Sequence, residues 1–311
     1  MTAIEDCMSM FTLEKSGYYS PFSFLIDTES CAKDFLRDLE KDVANGIVSQ
    51  FNDIDGNCIY YRNLNWDSNF FGIPTFRIEY TALHQNTQYL SAQSAFIKFR
   101  AHLSSICSNF YLFAEVPAED SAVIAGMTGS DWRLIETRIT CFRDDLQEFN
   151  YKTESATRNA TATDIPELRL AAARAVNRYD RFHADDFFTP NEADDFLAVY
   201  VENSVNGFAD EVIVPTVGLA NAFLTGNYLA TPPSLTGRKI GKMPLFAVSS
   251  GRKGWGTQLF GAMNLKFREN GLDTAFMTTQ ATNRSVLKIF FKHGYRFGRC
   301  THIFSTYTRA K

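Results

Sequence analysis

With 311 residues, 45% of them hydrophobic and 21% charged, the chain has an ordinary globular composition and enough length for two domains. A net charge of −4 leaves no global basic field, which argues against a dedicated nucleic-acid or membrane-surface protein. Six scattered cysteines (Cys7, Cys31, Cys58, Cys107, Cys141, Cys300) form neither a CxxC pair nor a zinc-spaced cluster, so buried free thiols and no metal are expected. The opening MTAIEDCMSM joins no basic region to an apolar core, and no apolar run approaches about 18 residues; a cytoplasmic protein is expected.

The first 50 or so residues carry little signature beyond a helix from Ser30, with Ser30 as its cap. Cys58–Leu64 and Thr75–Tyr80 read as extended, joined by the aromatic, turn-rich NWDSNFFGIP. Its Trp66, Phe70 and Phe71 suit a small core more than a stacking platform. Thr87–Leu103 predicts a helix, the apolar run 110–116 a buried strand ended by Pro117, Ser121–Met127 a short helix and Trp132–Phe142 a strand. The polar stretch Asp144–Thr157 suggests a boundary, dividing the chain into an N-terminal α/β domain (1–150) and a second domain (151–311).

In the second half, TDIPE (163–167) supplies a cap, a first-turn proline and an acid for a helix. Asn191–Asn206 reads as a helix, Val212–Ala220 as a strand and Gly226–Lys242 as a loop or hairpin tip. Strand Pro244–Ser249, helix Trp255–Asn270, strand Asp273–Thr279, a helix over Asn283–His293 stopped by Gly294, and one or two strands over Tyr295–Thr308 complete the chain.

The chemistry concentrates at the loop SSGRKGWGT (249–257). Glycines let successive amides converge, the helix start adds unpaired N–H groups, and Arg252 and Lys253 add charge, a combination suited to a pyrophosphate. The Gly-Lys-Ser/Thr of a Walker A loop is absent, and a dinucleotide fingerprint would need glycine where Leu259 stands. A plain strand-to-helix turn also satisfies the pattern. Downstream, TTQATNRSVLKIFFKHGY (278–295) adds a strand, an asparagine, a helix and Gly-Tyr.

In that order the two segments resemble the cofactor loop and second signature of the GNAT acyltransferases. LNWDSNFFGIP (64–74), ATATDIPELR (160–169), DRFHAD (180–185) and TQATN (279–283) are similar to motifs of the dTDP-fucosamine acetyltransferases. That likeness spans about 58–311, with the first ~55 residues and Leu224–Met243 resembling additions.

The resemblance implies a GNAT N-acyltransferase fold with a mixed, splayed sheet in 151–311 and an N-terminal α/β domain that is GNAT-like in part. It implies acetyl transfer from acetyl-CoA to the amine of a nucleotide-linked amino sugar, for surface-glycan synthesis. Amides around Phe246, Ala247 and Val248 would orient the pantetheine arm, and Gly251, Arg252, Lys253, Gly254, Trp255, Gly256 and Thr257 would hold the pyrophosphate. Asn283 would bond the arm or simply cap its helix. Phe290 stands where the family's acid tyrosine belongs and is counted with the cofactor-contacting residues, although phenylalanine donates no proton.

Tyr295, Ser285 and His293 lie near that position. Glu167, Asp185 and Glu202 are candidate bases by location, and Arg181, His183 and Asp185 form a polar cluster on the substrate side. Arg181 suits a nucleotide diphosphate, and a solvated helix junction is the competing reading. Small-molecule partners are expected, without nucleic acid or membrane, and a homodimer is among the assemblies allowed. A GNAT acting on another amine, and a CoA-binding domain without catalysis, are the alternatives.

Overall fold

In a computed structural model, which describes residues 15–84, 89–175, 177–249 and 254–309, Asp27 rather than Ser30 caps the helix expected from Ser30. The Asp27 carboxylate accepts the Ser30 amide at 2.8 Å, so α1 (Thr28–Ala44) starts two residues before Ser30. Strands β1 (Ser49–Asn52) and β2 (Cys58–Asn63) follow. The expected turn-rich link forms a helix, α2 (Asn65–Phe71), closed by Gly72 at φ 65°. None of its residues is buried; Trp66 stacks on Phe70 and Phe70 meets Phe71 edge-on. Next come β3 (Thr75–Ala82), α3 (Tyr89–Ile106), β4 (Phe110–Pro117), α4 (Ser121–Thr128) and β5 (Arg133–Arg143). α3 buries Ala92, Ala95, Phe96, Phe99 and Leu103, a spacing that puts one apolar stripe against the sheet.

The later elements are β6 (Thr157–Asn159), α5 (Ile165–Arg174), α6 (Arg181–Ala184), α7 (Pro190–Asn203), β7 (Glu211–Pro215), β8 (Ala222–Leu229), β9 (Ile240–Met243), β10 (Phe246–Val248), α8 (Trp255–Glu269), β11 (Thr274–Gln280), α9 (Arg284–Lys292) and β12 (Arg296–Thr308). The stretch Leu224–Met243, expected to be an addition, supplies β8 and β9 and so belongs to the sheet.

Two compact units emerge: Met1–Thr137 with Arg299–Lys311, and Arg138–Gly298. Strand order in the first is β1-β2-β3-β4-β12, with β3 parallel to β4 and the other pairs antiparallel. In the second it is β5-β11-β9-β8-β7-β6, with β9 parallel to β11 and β10 attached to β8. Each is a mixed α/β unit. Its core in the second packs Leu259, Phe260, Met263 and Phe267 of α8 against Leu224, Met243, Ala275 and Met277 of the sheet. Among the described residues no helix is long and apolar enough to cross a membrane, and no group of three or more His, Cys, Asp or Glu side chains is arranged to hold a metal.

Candidate functional site

β9 and β11 run parallel from Ile240↔Thr274 to Met243↔Met277 and then part. Pro244 follows at once, and a proline has no N–H to continue a ladder. Beyond it the chain resumes as β10, which pairs with β8 (Phe246↔Leu224 to Val248↔Ala222) and not with β11. β11 runs on through Thr278, Thr279 and Gln280, held by β5 alone. A wedge therefore opens between β10 and the end of β11.

The ladder fixes which backbone groups face it. The Thr225 amide bonds the Leu245 carbonyl at 2.9 Å, and the Ser249 amide bonds the Asn221 carbonyl at 3.0 Å. In an antiparallel pair such contacts recur every second residue, so Leu245, Ala247 and Ser249 turn toward β8. Phe246 and Val248 direct their N–H groups toward the wedge, on an edge that no strand among the described residues covers. Ala247 is buried in the cluster that contains Leu168, Ala171 and Ala172 of α5.

At the mouth of the wedge α8 begins. Gly254 takes φ 91° with no atom within 4 Å of a would-be Cβ, so glycine serves the backbone conformation there. The N-cap of α8 is Gly254, which brings no side chain to the helix start, and among the described residues the first turn carries no acid to offset the positive end. The amides of Thr257 and Gln258 bond the Gly254 carbonyl at 3.1 and 3.3 Å. Trp255 is half-buried against the core. At Gly256 a Cβ would lie 2.9 Å from Ile289 Cδ1 and 3.1 Å from the Phe246 ring, so α8, β10 and α9 converge on it. Gly251, Arg252 and Lys253 lie outside the described residues.

Across the wedge, Asn283 is engaged with the protein: its carbonyl accepts the Val286 amide at 3.3 Å, capping α9, and its amide donates to Thr279 Oγ1 at 3.1 Å. The cap role allowed from sequence is the one its contacts describe. Phe290 is fully buried between Phe260 and Tyr295 and presents no surface to a ligand. Tyr295 is buried too; its hydroxyl donates to Asn264 at 2.7 Å, and burial drives its pKa far above the ordinary phenol value. His293 packs among Phe149, Tyr151 and Phe260, and burial lowers its pKa to about 4, with Lys292 adding to the effect. Ser285 is exposed in the first turn of α9.

On the other side, Asp180 caps α6 through the Phe182 and His183 amides. The His183 ring bridges Asp180 (2.8 Å) and Asp194 (3.1 Å), and the Asp180 hydrogen bond raises its pKa. Arg181 is buried with its guanidinium 4.3 Å from the Phe182 ring centre. Asp185, also buried, accepts the Phe187 amide. The three expected polar residues are thus together, stitched into the α6–α7 junction. Glu167 lies half-buried in the first turn of α5, and Glu202 is ion-paired with Arg169. Asn177, passed over in the sequence because a lone loop asparagine carries no periodic signal, donates to Gln280 Oε1 at 2.5 Å and ties the α5–α6 link to the end of β11. Two surface concavities, of about 430 and 340 Å³, include none of the wedge residues.

No family model matches the sequence, and no curated protein matches it. Among solved structures, the chain is similar to a GCN5-related N-acetyltransferase from Sphaerobacter thermophilus (13% identity, 96% of this chain and 92% of that one, TM-score 0.58). It is similar to a conserved protein of unknown function from Staphylococcus epidermidis (10%, 83% and 94%, TM-score 0.55). A third is the GCN5-related glucosamine N-acetyltransferase region of a fungal multi-domain GH3 β-N-acetylglucosaminidase (15%, 82% of this chain and 32% of that one, TM-score 0.55). At such identities the likeness is one of fold, and the fold of this chain is that of the GCN5-related N-acetyltransferases.

Proposed function

We propose that the chain is an acetyl-CoA-dependent N-acetyltransferase whose acceptor is the amine of a nucleotide-linked amino sugar. One observation supports it above the others: a strand edge at Phe246 and Val248 that no described strand covers opens beside a helix start whose N-cap is Gly254. Directed amides suit the peptide-like arm of coenzyme A, and a glycine-capped helix start suits its pyrophosphate. Gly251, Arg252 and Lys253 would add backbone freedom and positive charge at that end. Bound acetyl-CoA would supply the thioester acyl group.

The chain's own part is orientation. Phe246 and Val248 would fix the arm by their amides, while the Phe246 and Ile289 side chains, which meet at Gly256, would give the mouth of the wedge an apolar wall. The attacking amine must be neutral, and a sugar amine beside an electron-withdrawing ring loses its proton more readily than a lysine. Phe290 and Tyr295 are both buried, so neither stands ready to protonate the departing thiolate. A thiol pKa of about 8.5 lets that group leave without a strong acid. The amino-sugar acceptor draws support from the DRFHAD and TQATN resemblances and from the fungal neighbour described as a glucosamine N-acetyltransferase. Arg181 and Asp185, being buried, and the half-buried His183 would shape the acceptor-side wall.

A second reading, coenzyme A binding without catalysis, is favoured by the same burial of Phe290 and Tyr295. Thiol release from acetyl-CoA separates the two. Release that depends on a dTDP-4-amino-4,6-dideoxyhexose supports the sugar acceptor, and release with glucosamine, amino acids or peptides moves the acceptor elsewhere. Binding without release under any acceptor supports the silent domain.

A further inference from the structure

The parallel strands part in the N-terminal unit as well. β3 and β4 pair from Thr75↔Tyr111 to Ile78↔Ala114; beyond that β3 is held by β2 as far as Ala82, and β4 by β12 as far as Pro117. Spacings around the two gaps agree. Three positions past β4, Asp120 caps α4 by accepting the Val123 amide; three past β11, Asn283 caps α9 by accepting the Val286 amide. Seven residues on, Met127 and Phe290 are both fully buried. Eleven on, Asp131 and Gly294 both take positive φ, 68° and 74°, a conformation glycine adopts freely and aspartate at some cost. The residues that follow, Trp132 and Tyr295, are buried aromatics.

We propose that the N-terminal unit is a second copy of the fold whose cleft is closed by the chain's own residues 15–20, so that each chain holds one cofactor, in the C-terminal unit; the stoichiometry rests on the coenzyme A reading above. The closing contacts are specific. Lys15 Nζ bonds the Thr81 carbonyl at 3.3 Å, past the point where β3 leaves β4, and pairs with Asp120 at 2.9 Å, past the end of β4. One ammonium therefore bridges both arms of the gap. Tyr19 donates to the same carboxylate at 2.7 Å and sets its ring edge-on to Tyr80 of β3 at 5.1 Å. The Ser20 carbonyl accepts from Arg299 of β12 at 3.0 Å. Lys15 and Asp120 expose 12% and 2% of their side chains, so neither is a surface charge that an incoming ligand could displace cheaply. The stretch LHQNTQ (83–88), at the sequence position that matches SSGRKG, has no Gly, Lys or Arg.

The test is amide hydrogen exchange on the intact protein with and without coenzyme A, beside a calorimetric titration. One equivalent should bind, slowing exchange in peptides that cover 246–257 and leaving 79–89 unchanged. Two equivalents, or slowed exchange at 79–89, overturn the closed-cleft proposal. If coenzyme A binds nowhere, the cofactor reading falls, and the closure is decided by a double-mutant cycle. Lys15→Met and Asp120→Asn should each lower Tm by on the order of 5–10 °C, and the double variant should lose far less than the two together. Additive losses, or none, overturn it.

Discussion

In the C-terminal unit the parted strands face their gap with main-chain groups: the amides of Phe246 and Val248 and the glycine-capped start of α8. In the N-terminal unit the same gap is spanned by side chains, Lys15, Tyr19 and Asp120, all buried or nearly so. The first gap gives up little when a ligand is absent, since amides at a strand edge are satisfied by water. The second is a private ion pair that loses heavily if either partner goes. The divergence of the strands is thus a property of the fold, and what occupies it is decided by a handful of residues.

Acid should break this parallel most strongly. The C-terminal unit buries His293 ten residues past its cap, and the N-terminal unit buries Ser130 at the matching place, its hydroxyl donating to the Gly126 carbonyl at 2.6 Å. Serine carries no titrating charge. His293, held to about 4 by burial, stays neutral while the unfolded chain takes up a proton below its ordinary value of 6.5. Stability is therefore unaffected above about pH 6.5 and falls as pH drops toward 4, by on the order of 3 kcal/mol in all. Denaturant unfolding at stepped pH should show this loss in the wild type and a flatter profile in His293→Leu. Equal profiles would mean that the ring is not buried as described.

Phe290 and Met127 occupy one position in the two units, both fully buried. Phe290→Tyr should then restore no acid. It should bury a hydroxyl with no provided partner, costing about 1–3 kcal/mol and several degrees of Tm, with thiol release no faster. A tenfold gain in rate at unchanged Tm would place that side chain on the reaction instead.

Much of the frame is legible in the sequence because apolar spacing and punctuation point the same way. α3 is announced by apolar spacing, read from Leu90, Ala95, Ile97 and Leu103, but Leu90 and Ile97 are exposed and Phe96 and Phe99 fill the stripe instead; α9 shows its end through Gly294. β8 and β9 were hidden by glycines that resemble loop residues. At Gly226 a Cβ would lie 2.8 Å from Met263 Sδ, and at Gly241 one would lie 2.5 Å from the Phe267 ring. Those glycines are strand positions that let α8 press onto the sheet. The wedge amides leave only an indirect trace, Pro244 and the glycines after it, because backbone groups have no letter of their own. Lys15 and Asp120 lie too far apart in the chain for any local pattern to join them.

Affinity can sharpen the comparison. Val248→Pro removes an amide directed at the wedge while sparing the Ala247 and Ser249 side of the β8 ladder. Loss of one such hydrogen bond should weaken coenzyme A binding about 3–10-fold in calorimetry. Lys15→Met, in the other gap, should leave the dissociation constant unchanged. A weakened Lys15→Met beside an unaffected Val248→Pro would exchange the roles of the two units.

The smallest expected effect has the opposite pH sign within the C-terminal unit. His183 bridges Asp180 and Asp194, and its pKa is raised above 6.5, chiefly by the Asp180 hydrogen bond. The folded state therefore keeps its proton after the unfolded chain has released it. This contribution is fully present below pH 6.5 and is lost as pH rises through the raised value. Tm measured from pH 6 upward should decline in the wild type and less so in His183→Asn, which can keep neutral hydrogen bonds to the carboxylates. A parallel decline in both would leave the imidazolium bridge with no part in holding α6 to α7, and the polar cluster would have to be explained by what the acceptor needs.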